Sequence, residues 1–139
     1  MSIAETHKRH WSRRFALQSL YQWQLSGHSV EELLAQFSED ENWHKVDKEY
    51  FTELLRESIG NAEKLTGVFT ACVDGSAERI GHVERAILLF STYEILNKHD
   101  IPRDVVISEA IILCKKFGSP GGYKLINGIL DKVERNLAD

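Results

Sequence analysis

The stretch from Ile101 to Val133, IPRDVVISEAIILCKKFGSPGGYKLINGILDKV, leaves few folds open to the chain. Val106, Ile107, Ala110, Ile111, Leu113, Cys114 and Phe117 cover most of a helix's circumference. A helix apolar nearly all round is a buried one, with other helices packed about it. Pro102 marks its start, with Asp104 as a candidate N-cap. Gly118, with Pro120 just beyond, marks its end. Lys115 and Lys116 fall in the last turn, where the helix dipole favours cations. After the turn Ser119-Pro120-Gly121-Gly122, a second stripe runs through Ile126, Ile129, Leu130 and Val133. Gly128 lies inside that stripe. An interior Gly costs roughly 1 kcal/mol against Ala, which predicts a close helix-helix approach there.

The rest of the chain carries the same period. Trp11, Phe15, Ala16, Leu20 and Trp23 form one apolar face over residues 9–26, with Arg14, Gln18 and Gln22 opposite. Residues 1–8 precede this pattern and read as a flexible basic arm. Gly27 ends the first helix, and Ser29 with Glu32 forms a capping box for the next. Asp47 can cap a third, longer helix running from Tyr50 to Leu65, and Val68, Phe69 and Cys72 can extend it. Gly60 and Gly67 suggest bends or close crossings in it. A fourth begins near His82, burying Val83, Ala86, Ile87, Phe90, Tyr93, Ile95 and Leu96. No strand alternation appears. The expectation is an all-α compact bundle of six or seven helices in one domain, residues 1–139.

Composition narrows the function. No apolar run approaches the ~20 residues of a membrane span, and the first residues lack a secretory apolar region. A cytoplasmic protein without membrane association is expected, with Cys72 and Cys114 as free thiols. The net charge of -4 does not mark a nucleic-acid binder, but its distribution is uneven. Lys8, Arg9, Arg13 and Arg14 against Glu5 give residues 1–14 a net +3, and the remainder carries -7. This is either a basic arm on an acidic body or a solubilising terminus.

The six histidines form no ligand spacing with one another or with cysteine, so no metal is expected. Neither a nucleophile elbow nor a phosphate or dinucleotide loop is present, and no cofactor is implied. Glu94 and Glu109 sit within apolar helices, where carboxylates pair with cations or cap neighbours more often than they do acid-base chemistry. The reading is a binding protein, not an enzyme.

Candidate binding residues cluster at both ends of the chain. Backbone amides at the Gly121-Gly122 helix start suit a phosphate. Tyr123 offers a ring to an unpaired base and Lys124 a charge to the backbone. Asn127 either bonds to neighbouring backbone or faces a groove beside Lys124. Tyr21 is a stacking platform or an ordinary boundary aromatic.

The residues Pro102, Val106, Ile107, Glu109, Ala110, Lys115, Phe117, Gly118, Lys124, Asn127, Gly128, Leu130 and Asp131 resemble the C-terminal pattern of the NusB family. Arg13 to Tyr21 is similar to the family's opening, and Glu84 to Leu88 with Tyr93-Glu94-Ile95 to its central helix. Ser108 and Leu125 replace the Asn and the aromatic usual at those points. The resemblance implies two small helical sub-bundles and a role in transcription antitermination. It implies partnership with the small-subunit ribosomal protein NusE, binding of boxA RNA in nascent ribosomal transcripts, and work within the RNA polymerase antitermination complex with other Nus factors. Lys8, Arg9, Arg13, Arg14, Tyr21, Tyr123, Lys124 and Asn127 are then the RNA-binding candidates. A helical adaptor that binds protein only is the alternative.

Overall fold

The computed structural model describes residues 1–138. Seven α-helices follow in order: α1 (Ile3–Ser26), α2 (Val30–Phe37), α3 (Lys48–Gly60), α4 (Ala62–Thr70), α5 (His82–Asn97), α6 (Arg103–Phe117) and α7 (Gly122–Ala138). Single 3-10 turns at Trp43–Lys45 and Ala77–Arg79 join α2 to α3 and α4 to α5. No strand occurs among the described residues.

The centre of the molecule is α5. Every residue from Ala86 to Ile95 is buried, and α1, α3, α4, α6 and α7 all pack against this helix. The apolar period of α6 predicts that helix at the centre, but α5 occupies it. Only Val106, Ala110, Leu113 and Cys114 of α6 are buried, while Ile112 is 50% exposed and Val105 is 37% exposed. An apolar pattern reports what a helix is made of, not how many neighbours it finds.

α1 is longer than its apolar stripe predicts. Ser2 caps it, accepting from the Glu5 amide at 3.1 Å. Residues 3–8, expected as a flexible arm, are therefore its first turns. They escape the pattern because no core lies beneath them: Ile3 is 91% exposed. The third predicted helix is two. Asn61 leaves helical geometry at φ -117°, ψ 22°, so the bend suggested by Gly60 is a break between α3 and α4. Two caps stand as expected, the reciprocal Ser29–Glu32 box and Asp47 on the Tyr50 amide. Pro102, not Asp104, is the N-cap of α6; Asp104 lies in the first turn, where its charge favours the dipole.

One half of the core is an aromatic nest between α1, α2 and α3. Phe15 meets Phe37, Trp43 and Phe51 with ring centroids 5.6–6.2 Å apart. The other half forms where α6 and α7 close over α5, with Ile126, Ile129, Leu130 and Val133 buried.

Candidate nucleic-acid interface

The first basic cluster divides once it is folded onto α1. Arg13 is buried at 2% exposure and is removed from the candidate surface. Its Nε and Nη2 donate to the fully buried Glu94 carboxylate at 3.0 and 2.8 Å. Its Nη1 lies 3.5 Å from Glu109 Oε1. Tyr50 donates its hydroxyl to Glu94 at 2.6 Å, and His10 Nδ1 sits 2.8 Å from Glu109 Oε2. Burial disfavours the Arg13 charge, but the Glu94 hydrogen bonds and charge, with Tyr50 and Glu109, together outweigh it and raise the guanidinium's affinity for its proton. Burial, and then the Glu94 charge, pushes the Tyr50 hydroxyl up. Burial works against the Glu109 anion, yet the His10 hydrogen bond and the Arg13 charge hold its carboxyl below the usual range. The network ties α1, α3, α5 and α6 together.

The other cations of α1 diverge. Lys8 is exposed, and its carbonyl accepts from the Asp47 amide. The Arg9 guanidinium rests 4.3 Å from the Tyr50 ring centre, facing α3. Arg14 turns the other way, lying 4.8 Å from the Trp11 ring and 5.0 Å from the Phe117 ring at the end of α6. Tyr21, seven residues further along that side of α1, is 39% exposed and meets His82 edge-on at 6.4 Å. At about 1.5 Å per residue it is ~10 Å from Arg14 along the axis.

Arg14 thus reaches the α6–α7 corner, where further cations gather. Lys116 lies 5.6 Å from the Phe117 ring and Lys115 lies 4.6 Å from the Tyr123 ring. Lys124 and Asn127 are exposed on the first turns of α7. The structure therefore gathers Arg14, Lys116 and Phe117 at the end of α6 and Lys115 with Tyr123 across the turn, with Lys124 and Asn127 exposed on the α7 turns that follow. Lys115 and Lys116 were legible only as helix-dipole partners. Their position beside aromatic rings depends on the turn that follows.

That turn is built around Glu84. This carboxylate is 3% exposed and accepts from the Ser119 amide at 2.8 Å and the Ser119 hydroxyl at 3.1 Å. A Cβ on Gly81, Gly118 or Gly122 would lie 2.7, 2.5 or 2.8 Å from its oxygens. Three glycines from two loops thus clear room for one carboxylate. No Lys, Arg or His pairs with it among the described residues; the Ser119 amide and hydroxyl bond to it, and it lies in the first turn of α5, where the helix dipole favours an anion. The glycine-rich turn where a phosphate is expected lies against this internal carboxylate, whose Oε2 would stand 2.8 Å from a Cβ on Gly122. The close approach predicted at Gly128 is found instead at these three glycines. A Cβ on Gly128 would meet nothing within 4 Å.

The fold is an all-helical bundle with a cationic, aromatic corner where Arg14 of α1 reaches the end of α6 beside the turn into α7. The match to known proteins is equally specific. Residues 10–135 match the NusB family, and the chain belongs to that family. It is 43% identical over 126 residues to the transcription antitermination protein NusB of Alcanivorax borkumensis, covering 91% of this chain and 84% of that one. It is 42% identical over 126 residues to the Paraburkholderia phymatum NusB, covering 91% and 87%. Among solved structures, Thermotoga maritima NusB superposes with a TM-score of 0.78 at 27% identity, covering 91% and 90%. A NusB solved with NusE and double-stranded RNA shares the fold, with a TM-score of 0.82 at 24% identity, covering 93% and 97%.

Proposed function

We propose that this chain, paired with a NusE-type ribosomal protein, binds boxA-type RNA in nascent ribosomal transcripts and helps RNA polymerase resist termination. The supporting observation is the α6–α7 corner. There Arg14, Lys115 and Lys116 stand beside the rings of Phe117 and Tyr123, and Lys124 is exposed one residue beyond Tyr123. Charge beside aromatic faces suits a single strand, which offers phosphates to the cations and splayed bases to the rings. In this reading Arg14, Tyr123, Lys124 and Asn127 touch RNA, Tyr21 extends the Arg14 side of α1, Lys8 and Arg9 lie toward α3, and Arg13 positions α1 from within. The assembly of NusB with NusE and RNA seen in the structural neighbour is the arrangement we propose here. The protein supplies binding and positioning, with no chemical step of its own.

The net charge of -4 makes RNA binding weak alone and stronger once a basic partner joins. Neutralising three or four phosphates gives a log-log salt slope of about -2 to -3. Electrophoretic mobility shift of a boxA RNA, with and without the ribosomal partner, tests this. Lys116→Glu with Lys124→Glu should abolish the shift while circular dichroism stays unchanged. A folded double variant that still shifts RNA at ordinary salt refutes the corner. A chain that binds the ribosomal partner but no RNA, alone or in the pair, is a protein adaptor instead.

A further inference from the structure

We infer that the face of α7 bearing Lys124, Gly128 and Lys132, with Arg79 opposite, seats the sugar-phosphate backbone of a single RNA strand. The inference rests on the RNA-binding reading above. These three α7 residues are spaced four apart and so line one face of the helix. With Arg79, Leu125 and Ile129 they border a groove of about 210 Å³.

Gly128 is the telling residue of this face. It is exposed, in the interior of a helix, and an added Cβ would meet no atom within 4 Å. Packing does not call for a glycine, and helix propensity opposes one. A local rule broken without a structural return is characteristic of functional positions. What the missing side chain does is leave a notch between two lysines about 12 Å apart along the axis. Successive phosphates of a strand are closer than that, so two nucleotide units span the notch with a phosphate at each lysine.

The cations are available. Lys124 makes no ion pair among the described residues. Lys132 Nζ lies 2.9 Å from Asp74 Oδ2, and the Asp74 side chain is 93% exposed. Arg79 Nη2 donates to the Asp74 carbonyl at 3.0 Å. Exposed pairs of this kind hold weakly, so a phosphate displaces the Asp74 side chain while its backbone keeps Arg79 at the rim. The groove begins at Lys124, one residue after Tyr123, and runs along α7 to Lys132.

Gly128→Ala separates this role from a structural one, because the two readouts move in opposite senses. The melting temperature should rise by about 3 °C. Affinity for a single-stranded boxA RNA, measured by fluorescence anisotropy with the ribosomal partner present, should fall about tenfold. Lys132→Ala should lower affinity and reduce the salt slope by about 0.7. A stabilised Gly128→Ala variant with unchanged RNA affinity overturns the proposal and leaves an acidic protein segment as the occupant. Should Gly128→Ala not fold, an unchanged salt slope in Lys132→Ala overturns it equally. If the wild-type pair binds no RNA, the parent reading falls and takes this one with it.

Discussion

Arg13 is the residue whose apparent and actual roles differ most. In the sequence it belongs to a basic run; in the fold it neutralises a buried carboxylate 81 positions away. Removing it strands Glu94, which has no exposure, and breaking one partner from a buried pair costs about 3–5 kcal/mol. Arg13→Met should therefore lower the urea midpoint strongly, whereas Lys124→Met should leave it within experimental error. The role was not legible because it depends on which helix α1 meets, and charge runs carry no such information. Glu94 and Glu109, by contrast, were readable as carboxylates awaiting a cation, since each stands inside an apolar helical pattern. Cys114 makes a second residue-scale case. Burial, and then the Glu84 charge, pushes its thiol up to about 12, and Cys72 is also raised by burial. Neither should react with iodoacetamide at pH 8 until urea unfolds the chain; labelling followed by mass spectrometry checks this.

Among the elements, local signals and tertiary ones part company in an instructive way. The Ser29–Glu32 box and the Asp47 cap were readable because a cap is a contact between neighbours in sequence. The centrality of α5 over α6 was not, because it depends on packing partners drawn from five other helices. The early start of α1 lay between these cases. Ser2 and Glu5 carry a cap signature, but no apolar stripe follows to draw attention to it. Ser2→Ala should fray the first two turns at a cost of about 1 kcal/mol locally. Amide hydrogen exchange at residues 5–8 should then accelerate, while exchange in α5 stays fixed. If those amides exchange as before, the cap does not hold the helix end.

On the scale of the whole molecule, one ion network and one buried carboxylate hold the helices in register. Glu109 has a folded-state pKa below its ordinary value, so its contribution is fully present above the unfolded value and is lost as pH falls through the folded one. Thermal stability should drop below about pH 4.5, and Glu109→Gln should flatten that decline. A melting curve series from pH 7 to pH 3 decides it.

The Glu84 arrangement has one more consequence, for buffer chemistry. A glycine turn that already lies against an internal carboxylate repels a dissolved oxyanion. Millimolar inorganic phosphate or sulfate should leave the melting temperature where chloride leaves it, although many proteins with glycine-rich helix starts are protected by such salts. Here the tenant is built into the polypeptide, and exchanging it for a solute would require cutting a side chain away.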